Sequence, residues 1–329
     1  MKKIFILMSF CIVSLFANNI KVTVSILPQK YFVEKIAGDK VDVNVMVRTG
    51  FSPATYEPQT SQMKLLSASK VYFSIGVPFE SAWLNKFENA NKNMLIVDTT
   101  KGISKLEMVE HEHHDEKDEE AHHDDEHEKS HHEKDEEAHH NDKHEEVHHE
   151  KNDETHHDDE DEKSHHKDNL DPHVWLDPIL VKTQAKNIYE AMIAIDSLNK
   201  KFYTKNYLNF LEELDNLDSR LKLILGKVTN SAFMVFHPSW GYFAQRYKLE
   251  QIAVEKEGKE PKPKEIVELI HESKKHNIKV IFVAPQFSQK AAKTIARNID
   301  GNIVTIDHLS YDYETSLIKT AKSIYNSYK

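Results

Sequence analysis

Between residues 111 and 166 the chain has no Ile, Leu, Phe, Trp, Tyr or Met, and its only apolar side chains are Ala121, Ala138 and Val147. Such a stretch cannot bury enough apolar surface to offset the entropy of ordering it, so it is expected to be disordered. Any core must come from the two flanks, and the fold must tolerate an insert between them. The segment holds 25 acidic residues against 6 lysines, a charge of −19. That leaves 29 acids against 37 bases, or +8, on the rest of a 329-residue chain whose net charge is −11. The insert is also a repeat. His-His pairs begin at 113, 122, 131, 139, 148, 156 and 165, in steps of eight or nine. A nine-residue step turns a helix by about two and a half turns, so successive pairs would face opposite sides. The repeat is a duplicated low-complexity unit rather than one helical stripe.

The flanks read as α/β. Val22, Val24 and Ile26 alternate with polar residues, as do Val41, Val43, Val45 and Val47. Short apolar runs follow at 71–75 and 94–97. Helical spacing falls between them at 31–37, 63–68 and 79–87. Strands alternating with helices predict a lobe with a largely parallel sheet. After the insert, Asp177-Pro178 is a helix start, with Asp as cap and Pro in the first turn. A longer helix is expected from about 199 to 226. Its apolar face is Tyr203, Tyr207, Phe210, Leu214, Leu217, Leu221 and Leu225, with Gly226 at the C-cap position. A second α/β lobe then has strands at 233–236, 251–254, 280–283 and 303–306. Helices fill the gaps, and a last one runs over about 312–327. The expected division is 1–17 signal peptide, 18–198 first lobe including the insert, 199–226 linking helix and 227–329 second lobe.

Several chemistries are excluded. The eight glycines are too widely spaced for a phosphate-cradling loop or a dinucleotide fingerprint. Cys11 is the only cysteine, so a disulfide framework and a CxxC zinc site are ruled out. Met1-Lys2-Lys3, an apolar run over 4–16 and Ala17-Asn18-Asn19 fit a secretory signal, with cleavage expected after Ala17. The run falls short of the ~20 residues that span a bilayer. The mature chain is expected in the periplasm.

The insert holds 17 of the 22 histidines. Paired imidazoles beside carboxylates suit zinc, copper or nickel. The pairs His113 and His114, His122 and His123, His131 and His132, His139 and His140, His148 and His149, His156 and His157, and His165 and His166 are therefore read as weak, exchangeable loop sites. Their binding should weaken below pH ~6.5, where imidazole takes a proton. Outside the insert, His271 and His276 fall on the polar side or end of a helix and read as surface residues. His237 follows the apolar run 233–236, and Asp307 follows the run 303–306. Both thus stand at carboxyl ends of strands, where open α/β sheets bind ligands. His173 lies just before a helix start in the other lobe. A lone strand-end histidine is more often structural, but three ligand-type residues in a chain with a His-rich insert point to a metal site of His173, His237 and Asp307.

These motifs resemble the ZnuA-like family, the periplasmic zinc-binding proteins of high-affinity zinc ABC transporters. The resemblance rests on Ser52-Pro53-Ala54-Thr55-Tyr56-Glu57-Pro58, Asp171-Pro172-His173-Val174-Trp175-Leu176-Asp177-Pro178 and Phe236-His237-Pro238-Ser239-Trp240-Gly241-Tyr242-Phe243. Pro285-Gln286-Phe287-Ser288 and Ile306-Asp307 complete it. It implies two parallel-sheet α/β lobes joined by a long rigid helix, and Zn2+ held between them by His173, His237 and Asp307. It also implies a membrane permease as partner. Manganese-selective relatives have Glu in place of His237, and imidazole favours zinc. Many members have a ligating His where this chain has Ala54. The missing donor could come from Glu57, His308, an insert histidine or water.

A zinc hydrolase would need an open coordination position and a general base. HExxH is absent, since His271-Glu272 lacks the second His, and so is GxSxG. The chain is therefore expected to be a monomeric binding protein rather than an enzyme. A pure metal buffer is the other alternative. Four arginines and no recognised motif argue against nucleic acid as a partner.

Overall fold

Residues 19–108, 170–256 and 258–329 are described by the structure, a computed structural model. The expected signal peptide and the His-rich insert, with all its expected loop sites, lie outside the described residues. The first lobe runs β1 (Ile20–Val24), α1 (Leu27–Ala37), β2 (Val41–Val45), α2 (Thr60–Leu66), β3 (Val71–Ser74), α3 (Pro78–Ala90) and β4 (Leu95–Asp98). Two helices follow, α4 (Pro178–Ile195) and α5 (Lys200–Leu225). The second lobe runs β5 (Ala232–Val235), α6 (Gly241–Tyr247), β6 (Glu250–Ala253), α7 (Pro263–Lys275), β7 (Val280–Val283), α8 (Lys290–Asn298), β8 (Asn302–Thr305) and α9 (Tyr313–Asn326).

Both sheets are parallel throughout and have the same connectivity, β2-β1-β3-β4 in one lobe and β6-β5-β7-β8 in the other. Parallel sheets are covered on both faces, so their inner strands read as continuous apolar runs. Val71–Ser74 and Ala232–Val235 are buried at every position for that reason. Three second-lobe strands begin one residue earlier than the apolar runs suggest. The residues just past them, Phe236 and Ile306, are buried but belong to loops. His237 and Asp307 thus each stand two residues beyond a strand, just past amides that still bond to β7. In the first lobe the alternating pattern outlasts the named strands, because Met46 N and Val47 N still donate to Val24 O and Ser25 O at 2.9 and 2.8 Å.

The helix α5 has 26 residues, about 39 Å at 1.5 Å per residue. Tyr203, Phe210, Leu214, Leu217, Leu221 and Leu225 form its buried stripe, while Tyr207 is partly exposed and stacks on Tyr189 at 4.6 Å. Gly226 caps the helix with φ −58°, a right-handed conformation. The usual left-handed glycine cap is not formed. Here glycine is wanted for space, since a Cβ would stand 2.9 Å from Lys222 O. Asp177 caps α4 through Ile179 N at 2.8 Å and also accepts from Arg246 Nε of α6 at 3.0 Å. One hydrophobic cluster runs from β1 through α4, α5 and α9 to Phe233, Trp240 and Phe282 of the second lobe. A smaller one fills the space between that sheet and α7 and α8. The lobes and the linking helix therefore share a core. Among the described residues no helix is long and apolar enough to cross a membrane.

Candidate metal centre

His173 lies where the chain turns into α4. Its backbone N donates to Asp171 Oδ1 at 2.8 Å, and its Nδ1 stands 2.7 Å from the same oxygen. A carboxylate can only accept, so Nδ1 carries the hydrogen and Nε2 presents its lone pair. Asp171 is itself held: its carbonyl accepts from Tyr242 Oη at 2.8 Å, and that hydroxyl accepts from Leu106 N at 2.9 Å. Asp171 Oδ2 packs so closely on Gly241 that a Cβ there would lie 3.0 Å away. Burial lowers the His173 pKa, partly opposed by Asp171, so this ring is neutral at neutral pH.

His237 is arranged the same way. Its Nδ1 is paired with Glu255, a buried carboxylate two residues past β6, which leaves Nε2 available. Phe287 stacks on the imidazole at 4.6 Å with an interplanar angle of 21°. The rings of His173 and His237 face one another from different lobes, with centroids 5.2 Å apart.

Asp307 is half-buried. Its Oδ1 accepts from Gln286 Nε2 at 3.2 Å and Leu309 N at 3.0 Å. Oδ2 makes no hydrogen bond among the described residues. His308 turns into the centre as well. Its ring centroid is 5.7 Å from His173 and 5.8 Å from His237, and its residue is 3% exposed. Burial depresses its pKa well below the usual histidine range, and the two neighbouring imidazoles push the same way. Glu57 is exposed and makes no hydrogen bond or ion pair among the described residues. His271 is exposed, and His276 sits at the end of α7 near Glu272 and Glu250.

Among the described residues no three His, Cys, Asp or Glu side chains are already drawn in around a metal position. Two of the buried polar atoms that lack partners among the described residues are His308 Nδ1 and Gln286 Oε1. The structure does bring three imidazoles together, with ring centroids 5.2–5.8 Å apart. That donor set fits a borderline-soft divalent ion. Sequence reading missed Asp171 and Glu255. Asp171 was legible as a carboxylate two residues from His173; Glu255 reaches His237 only through the pairing of β5 with β6.

The sequence profile of the family described as "Zinc-uptake complex component A periplasmic" matches residues 22–327. The chain belongs to this family. It is 26% identical over 296 residues to the high-affinity zinc uptake system protein ZnuA of Bacillus subtilis, covering 89% of this chain and 79% of that protein. It is 26% identical over 284 residues to the zinc-binding protein AdcA of Streptococcus pyogenes, 85% of this chain but only 48% of that one, about half its length. A crystal structure of ZnuA superposes with a TM-score of 0.75 at 34% identity, covering 95% of this chain and all of that one. The family description places its members on the extracytoplasmic side, as binding components of zinc uptake.

Proposed function

We propose that the protein captures a zinc ion between its lobes and delivers it to the membrane permease of an ABC importer. The observation that carries this reading is the pair His173 and His237. Each has its Nδ1 held by a buried carboxylate, and the two rings approach from opposite lobes. A carboxylate behind a ligating histidine fixes its tautomer and raises its basicity. Rings bound to one tetrahedral zinc through Zn–N bonds of about 2.0–2.1 Å have centroids about 5 Å apart, and those of His173 and His237 are 5.2 Å apart. Asp307 is the carboxylate ligand in this reading, through Oδ2. Asp171, Glu255 and Asp307 offset the ion's charge in a place screened from water. His173 is neutral before metal arrives, so capture does not have to expel a proton from that ring near pH 7.

No covalent bond changes in this chain. The boundaries proposed are 18–198, 199–226 and 227–329, after removal of a signal peptide ending at Ala17. The insert acts as a collector or sensor. His166 is seven residues from His173, so the last pair lies within about 25 Å of it along the chain. Imidazole rather than carboxylate at position 237 favours zinc over manganese, and the protein works as a monomer. Zinc titration against a competing chelator tests the reading. One tight equivalent is expected in the wild type and none in His237→Ala. Equal tight binding by both would refute it.

A further inference from the structure

The resemblance implies a further donor at position 54, and Ala54 has only a methyl group. We propose that His308, from the loop between β8 and α9, is the ligand that makes up the shortfall. The centre would then be three imidazoles and a carboxylate, with only His173 coming from the first lobe. This rests on the reading of the cleft as a zinc site.

Position is the first argument. The three ring centroids form a nearly even triangle of 5.2, 5.7 and 5.8 Å. Satisfaction is the second. A histidine kept in a core for packing has its ring nitrogens paired, since buried polar groups are nearly always hydrogen-bonded. His173 and His237 each have a carboxylate on Nδ1. The His308 Nδ1 is enclosed and has no hydrogen-bond partner among the described residues. An imidazole left this way is explained by an acceptor of its lone pair, such as a cation. Preorganisation is the third. The His308 carbonyl accepts from Trp175 Nε1 at 2.7 Å, and the Trp175 carbonyl accepts from Tyr313 Oη at 2.7 Å. Ser316 Oγ donates to Asp307 O at 2.9 Å. The loop is thus tied to the first lobe and to α9, so the backbone that carries the buried ring is held before any ion arrives.

A consequence follows for selectivity. Three imidazoles and one carboxylate make a nitrogen-rich set that suits zinc and is poor for manganese. The loop 46–59, which carries Ala54, is free of any coordinating duty.

The test uses the full chain with half an equivalent of zinc, so that the tightest site fills first. Affinity is read by chelator competition, and the imidazoles around the ion are counted by X-ray absorption. His308→Gln and His308→Leu are compared with His237→Ala and with the surface control His271→Ala. Both His308 variants should lose about a hundredfold or more in affinity. Their imidazole count should fall from three to two, while the metal-free far-UV spectrum stays that of the wild type. If either folded variant keeps wild-type affinity and three imidazoles while His237→Ala does not, His308 is not a ligand and the cleft reading survives. If His237→Ala also binds as the wild type does, both readings fall together.

Discussion

The two lobes share one strand order and use its carboxyl edge in opposite ways. In the first lobe that edge is closed. Gln29 Nε2 donates to Phe73 O at 3.1 Å and Ser74 O at 3.2 Å, while its Oε1 accepts from Ser25 N at 3.0 Å. Glu80 accepts from Ile75 N and Gly76 N at 3.0 and 2.8 Å and from Ser25 Oγ, which also meets Tyr72 Oη at 2.6 Å. In the second lobe the same edge carries His237, Gln286, Asp307 and His308, and two of its buried polar atoms have no partner among the described residues. A fully satisfied polar network rigidifies, whereas unspent donors on a rigid frame make a binding site. The difference teaches that the shared topology supplies a place for a ligand and the loop residues decide whether it is used. In the proposed centre the first lobe contributes His173 alone.

The largest effect expected from breaking this contrast is loss of tight zinc binding in His237→Ala, by about a hundredfold or more, against no change in Glu80→Gln. Isothermal titration on both variants separates an open edge from a closed one. Glu255→Gln should weaken zinc about 10–100-fold, because it removes the negative charge behind His237 and lets the amide turn its NH2 toward Nδ1. Its thermal midpoint without metal should change little by comparison with its affinity.

Glu80 sharpens the contrast through pH. Burial raises its pKa to about 7 from 4.5, against the pull of Ser25, the Gly76 and Ile75 amides and Lys105. Between those two values the folded chain holds a proton that the unfolded chain has lost, so this group's stabilisation is full below pH ~4.5 and fades as pH rises through about 7. The buried imidazoles of His173 and His308 act in the other direction. Their pKa values are lowered, so the unfolded chain takes up protons first and stability falls as pH drops below ~6.5. Urea unfolding of wild type and Glu80→Gln at pH 5 and pH 7.5 isolates the Glu80 share, expected to be on the order of 2 kcal/mol. Equal pH dependence in the two proteins would contradict it. The smallest effect is expected of Gly241→Ala. Its new methyl would crowd Asp171 Oδ2 and should weaken zinc by about threefold, through a displaced His173 partner.

Much of this was legible in the sequence. Continuous apolar runs mark strands buried on both faces, so β3, β5 and β7 could be read directly, and the α5 stripe was plain from helical spacing. Strand ends were less so, because Phe236 and Ile306 lie one residue past the strands although their amides still donate to Phe282 O and Val283 O of β7. His173, His237 and Asp307 stood out as donors at element ends. Glu255 did not, since its role depends on strand pairing between distant segments. His308 was legible as one of several candidates for the missing donor, and its side-chain direction depends on how the loop after β8 is tied to Trp175.

The central claim is that the cleft, and not the His-rich insert, holds the tightly bound ion. Zinc titration of the chain with residues 111–166 removed, beside the full chain, tests it most directly. About one tight equivalent should remain with its affinity unchanged, while the weaker equivalents disappear. Loss of all binding on removing the insert would contradict the account.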